Sequence, residues 1–265
     1  MNQRARYVET LLFGKPDRIP LYPGDPREST LAAWHTQGLP AGTDWQDFLL
    51  ESLGLGRDAL VRPETLDADF RLRPRFEEKV LEHRDGHLVV QDWKGNICEI
   101  SDRYDVTYLR DPKDFVTRRW IKCPVESRAD WEEMRKRYAA DDPQRLPADW
   151  KEHCRKLRDR DHVLAISMSG PFWQMREWCG FEGLCMMMID QPELVAEMAA
   201  FWSDFVSDMF GRILRDVVPD IVVVNEDMAY KAKAMISPEM TREFCVPSWR
   251  RWTAQLHAAG CPVVS

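Results

Sequence analysis

The sequence predicts a mixed α/β fold: a parallel, barrel-like body that carries a β-rich insertion. Three observations point there. Short apolar runs at 162–168, 220–224 and 262–264 alternate with long amphipathic stretches, the pattern of βαβ units and so of a parallel sheet. Residues 67–108 show short alternating runs split by Asp85-Gly86 and Lys94-Gly95-Asn96, which read as antiparallel hairpins inserted into that body. The 265 residues, 44% of them hydrophobic, suffice for a sizeable core, read here as one domain over 1–265.

In chain order, residues 2–13 read as an amphipathic helix with Tyr7, Val8, Leu11 and Leu12 on one face. Ile19-Pro20-Leu21-Tyr22 is a candidate first strand, followed by a turn-rich loop from Pro23 to Ser29. Helical patterns follow at 31–37 and 45–53. Within the insertion the expected strands are 70–73, 87–90 and 97–100. Residues 130–160 are charged and helical, broken at Asp141-Asp142-Pro143. The strand at 162–168 ends in a loop, Ser169-Gly170-Pro171-Phe172-Trp173. Asp190 then reads as the N-cap of a long helix, with Pro192 in its first turn and a buried stripe of Leu194, Met198, Phe201, Trp202, Phe205, Met209 and Ile213. After strand 220–224, Ser237-Pro238-Glu239 caps a helix running to about Ala259. That helix is expected to kink near Pro247 and to stop at Gly260. The sequence closes inside a further strand, leaving about four strands and part of a fifth.

Composition narrows the function. The net charge of −7, with basic residues interspersed among acids, argues against nucleic-acid binding, which needs a basic patch. The N-terminus lacks a signal-peptide apolar region, and no apolar run approaches a bilayer span. Seven cysteines without a Cys-x-x-Cys pair fit small core residues in a reducing cytoplasm.

The densest chemistry lies at Asn225-Glu226-Asp227-Met228-Ala229-Tyr230-Lys231, directly after the valine run. In a parallel α/β barrel the C-terminal strand ends form the active-site mouth. Glu226 and Asp227 are the catalytic candidates, since two carboxylates sharing a partly dry site push their proton affinities apart. Their structural alternative is that Asp227 braces the following loop and Glu226 pairs with Lys231 or Lys233. Tyr230 and Lys231 are candidates to donate to, or neutralise, a substrate oxygen. Phe172 and Trp173 would wall an apolar ligand and Arg176 would grip an anion, against the alternative of core packing. Asp25 and Arg27 occupy the first strand-end loop, where turn chemistry explains them equally well. His257 and Cys261 supply two metal ligands without a third, a poor zinc site. Met186-Met187-Met188 reads as core filler.

Four segments together resemble the uroporphyrinogen decarboxylase superfamily: Lys15–Pro20, Ser169–Trp173 with Gly180–Gly183, Glu226–Lys231, and Ile236–Glu239. Within it the chain is most similar to the decarboxylase-like branch related to corrinoid-dependent methyltransferases. The resemblance implies a TIM-type (β/α)8 barrel, incomplete here, with a small-molecule substrate in its mouth. It also implies a possible corrinoid-carrying partner protein and a homodimer. Two departures qualify it. The arginine-rich first loop that holds substrate carboxylates in true decarboxylases is here Pro23–Ser29, with one arginine and two acids, which weighs against a polycarboxylate substrate. Members also continue for roughly three more strands of the barrel. The zinc ligands of related methyltransferases would lie beyond Ser265, so no cofactor is expected on this chain. The aspartate that decarboxylases carry on the second strand has only Asp67 or Asp69 as a counterpart. Methyl transfer is therefore the leading expectation. Uroporphyrinogen decarboxylation in porphyrin biosynthesis and an inactive barrel or binding module are the alternatives.

Overall fold

A computed structural model describes residues 1–110 and 112–265. Helices α1 (Gln3–Leu11), α2 (Glu28–Thr36) and α3 (Trp45–Ser52) precede strand β1 (Glu64–Thr65). A meander comes next: β2 (Lys79–Arg84), β3 (His87–Gln91), β4 (Ile97–Ser101) and β5 (Arg119–Lys122). Then come α4 (Arg128–Met134), α5 (Trp150–Lys156), β6 (Leu164–Ser169), α6 (Pro171–Cys179), α7 (Phe181–Asp190) and α8 (Pro192–Ile213). Strand β7 (Ile221–Asn225), α9 (Pro238–Phe244), α10 (Val246–Ala258) and β8 (Val263–Val264) complete the order.

Two sheets result. In the first, β1, β6, β7 and β8 lie side by side in chain order, every pair parallel. A parallel bridge between Leu21 and Leu60 lies on the chain leading into β1. The two faces of this sheet differ. Leu164, Ile166, Met168 and Val222 pack into a large core with α6, α8 and residues of α10, including Trp178, Trp202 and Trp252. On the other face Val61, Val163, Ala165 and Ile221 pack with Tyr7 of α1. The α8 stripe carries much of the first core. Leu194, Met198, Trp202, Phe205, Met209 and Ile213 are all at most 3% exposed, and each such side chain contributes roughly 1.5–3 kcal/mol on burial.

The second sheet is antiparallel in the order β2-β3-β4-β5. Asp85 and Gly86 both adopt positive φ, the conformation a two-residue hairpin turn demands. Val90, Cys98 and Ile100 close a separate small core with Leu109 and Val116.

Several expectations shift. The antiparallel strands span 79–122, not 67–108: Phe70–Arg73 is not a strand, because Phe70 and Leu72 turn into the large core while Arg73 pairs with Asp69 and Asp142. Residues 169–173 are mostly helix, since Gly170 is the N-cap of α6 and Pro171, lacking an N–H, suits its first turn. Asp190 ends α7 and the N-cap of α8 is Gln191. Leu12 is 53% exposed, and Arg6 takes its place on the buried side of α1, bonded to Asp17. The helix expected to kink near Pro247 is two helices with a break at Cys245. Among the described residues no helix is long and apolar enough to cross a membrane.

Candidate functional site

Strands β6 and β7 end side by side, with Ser169 beside Asn225, while β1 ends at Thr65 beside Ala165, four residues before the end of β6. A cavity of about 540 Å³ opens there. Its polar wall comes from three strand ends and the segments just after them: Thr65, Asp67 and Arg71 from β1 onward, Ser167, Ser169 and Gln174 from β6 into α6, and Asn225 from β7. Leu66, Phe70, Met168, Trp173 and Trp202 supply apolar surface.

Local chemistry holds these groups in place. Asn225 donates from Nδ2 to Ser167 Oγ at 2.8 Å and to the Met168 carbonyl at 3.1 Å, tying β7 to β6 inside the cavity. Trp202 Nε1 donates to the Ser169 carbonyl at 3.0 Å. The loop after β1 is organised by Arg145, only 1% exposed. Its guanidinium donates to the carbonyls of Asp69, Arg71, Ala139 and Arg137 at 2.6–3.1 Å. Beyond Trp173 and Gln174 lies a second hollow of about 190 Å³, walled also by Trp93 and Lys94 of the antiparallel sheet's β3–β4 turn. Glu177 links α6 to that turn, accepting Trp173 Nε1 at 3.1 Å on one oxygen and Lys94 Nζ on the other.

Of the residues singled out by sequence, Trp173 lines this cavity, and Asp67 does so from the loop after β1. Phe172 is fully buried core. Glu226 turns behind the wall. Its carboxylate accepts the backbone N–H of Phe172 at 3.2 Å and of Trp173 at 2.8 Å, and Trp249 Nε1 at 3.2 Å. These backbone groups are otherwise unpaired donors of the first turn of α6, so a residue 53 positions away in sequence caps that helix. Burial pushes the Glu226 carboxyl up to about 7, against the pull of its donors. Gly170 makes room for it: a Cβ there would sit 2.2 Å from Glu226 Oε1.

Asp227 is 47% exposed and pairs with Arg176, which donates to its Oδ2 at 2.9 Å and its carbonyl at 3.1 Å. The Arg176 guanidinium also covers the rings of Phe172 and Trp173. Tyr230 and Lys231 are exposed on a short excursion closed by backbone bonds between Tyr230 and Lys233. Asp25 lines a separate hollow of about 210 Å³ beside Tyr22 and Arg62, and Arg27 lies over the Phe115 ring. Asp69 pairs with Arg71 and Arg73. His257 Nδ1 is bonded to the Cys261 carbonyl, and burial pushes the Cys261 thiol up to about 11. Among the described residues no three His, Cys, Asp or Glu side chains are grouped to hold a metal ion. Met187 and Met188 are buried in the core, while Met186 is 56% exposed.

The structure thus brings Trp173, Arg176, Glu226 and Asp227 into one contact network but leaves Asp25, Arg27, Tyr230 and Lys231 outside it. Sequence reasoning missed Ser167, Gln174 and Asn225. Two-residue alternation back from the strand end would have found Asn225, which shares a sheet face with Ile221 and Val223. No family model matches this chain, and neither a curated protein nor a solved structure does.

Proposed function

We propose that this chain is an enzyme of the uroporphyrinogen decarboxylase superfamily, in its methyltransferase-like branch, with a TIM-type barrel architecture and its site in the cavity at the C-terminal strand ends. The observation that carries this reading is the sheet order. Parallel strands that neighbour one another in chain order, with polar side chains gathered at their C-terminal ends, are what a barrel enzyme requires. The contact between two resemblance-bearing segments, Gly170–Trp173 and Glu226, gives further support.

In this reading Asn225 and Ser167 orient a small substrate by hydrogen bonds, Asp67 and Arg71 supply charge at the entrance, and Trp173 is the apolar wall that excludes water. Glu226 is a positioning residue: it holds the first turn of α6 and so the backbone of Trp173. Arg176 and Asp227 brace the same turn from outside. A corrinoid on a partner protein would supply or accept the methyl group. A polycarboxylate fits poorly, because Arg71 is the cation on the cavity wall and it already pairs with Asp69. The test is spectroscopic: methylcobalamin incubated with the chain and a panel of small thiols, alcohols and amines should lose its methyl group with at least one acceptor. Carbon dioxide release from uroporphyrinogen, with methylcobalamin unchanged, would replace this reading by the decarboxylase.

A further inference from the structure

A hollow of about 710 Å³ lies at the opposite pole, against the N-terminal ends of the parallel strands. Four arginines, Arg4, Arg158, Arg160 and Arg215, and two aspartates, Asp216 and Asp220, line it. The aspartates are already engaged. Asp220, 2% exposed, accepts Arg4 Nε at 2.9 Å, Arg160 Nε at 3.2 Å and the Leu164 backbone N–H at 2.9 Å. Asp216 accepts Trp150 Nε1 at 2.9 Å. Arg160 also caps the Leu157 and Val218 carbonyls. Arg158 and Arg215 make no side-chain hydrogen bond or ion pair among the described residues, and Arg4 engages only its Nε.

Four guanidinium groups against two carboxylates leave a surplus of two positive charges. The helix ends at this pole partly offset it: the C-termini of α5, α8 and α10 carry about half a negative charge each, and the N-terminus of α1 about half a positive one. The balance stays positive. Apolar groups from Val8, Leu214 and Pro262 share the lining. The volume falls in the range of small-molecule pockets, and planar forked donors match phosphate oxygens. We infer that this hollow binds a small organic phosphate, with Arg158 and Arg215 as its principal contacts and Arg4 as a third. The site is separate from the strand-end cavity and does not depend on the reaction proposed there.

The experiment is isothermal titration of the full chain with inorganic pyrophosphate at low and moderate salt. Saturable binding that weakens with salt is expected. Arg158→Gln/Arg215→Gln should bind at least about tenfold more weakly, the equivalent of one or two lost charged hydrogen bonds. Lys79→Gln/Lys122→Gln, on the exposed edges of the antiparallel sheet, should bind as the parent does. If the double arginine variant does not fold, each single variant must still weaken binding. No saturable heat, equal affinity in the arginine variants, an equal loss in the lysine control, or succinate binding as tightly as pyrophosphate would each overturn the assignment.

Discussion

The carboxylate of Glu226 accepts the backbone N–H of Trp173 at 2.8 Å. That bond joins the end of β7 to the first turn of α6, and so couples the segment after β7 to the aromatic wall of the cavity. Because the carboxyl is buried, its proton affinity should register in the stability of the whole protein.

Below pH 4.5 the Glu226 carboxyl is protonated in both the folded and unfolded states. Between 4.5 and about 7 the folded chain keeps a proton that the unfolded chain has released. Stability from this group is therefore full below 4.5 and is lost as pH rises through 7, by on the order of 3 kcal/mol. Glu226→Gln should remove that component. Urea melts of parent and variant at pH 4.5 and 7.5 measure it. An identical pH dependence in the two proteins would contradict the account.

Gly170→Ala tests the fit from the other side. The backbone at Gly170 suits any residue, with φ at −73°, so the cost is steric. The added methyl meets a carboxylate pinned by three donors, and a loss of about 1–3 kcal/mol is expected. In the Glu226→Ala background the same change should cost clearly less, since the two sites share one space. Additive losses would mean that the two groups do not meet.

Much of the parallel sheet was legible in the sequence. The runs at 162–168 and 220–224 are apolar on both faces, and Ser237 and Gly260 mark the helix boundaries by their own local chemistry. The errors have physical causes. Gly170-Pro171 resembles a turn, yet the same pair starts a helix when a distant carboxylate caps it. Strand β5 was not legible because Trp120 and Ile121 are both about half exposed and leave no alternating pattern. At the site, titrating groups stand out in the sequence, but most of the cavity lining is neutral, Asp67 and Arg71 apart. Asn225 and Ser167, both in-strand, face it, whereas Asp227 faces outward to Arg176.

Arg145 should be the costliest single arginine to lose. Its guanidinium satisfies four backbone carbonyls in a buried setting. Arg145→Met takes the donor from all four, leaves the Asp69 and Arg71 carbonyls with no other donor among the described residues, and should destabilise by roughly 3 kcal/mol or more. It should also loosen the loop carrying Asp67 and Arg71, seen as faster amide exchange there. A loss below about 1 kcal/mol, the level of an exposed ion pair, would contradict this.

The Arg176–Asp227 pair should behave in the opposite way. Asp227 is half exposed, so Asp227→Asn should change stability by no more than about 1 kcal/mol. Arg176→Ala should cost more, because it also uncovers Phe172 and Trp173. Chemical denaturation of both variants measures the difference. Equal losses would make the ion pair the whole of the interaction.

The most direct test of the strand-end cavity as a methyl-transfer site is the rate of methylcobalamin demethylation in the parent and in Ser167→Ala/Asn225→Ala, followed by absorbance with the acceptor panel. The account predicts turnover by the parent and a loss of at least about a hundredfold in the variant, the scale of removing oriented hydrogen bonds from a reacting site. Unchanged methylcobalamin across the whole panel, or equal rates in the two proteins, would contradict it.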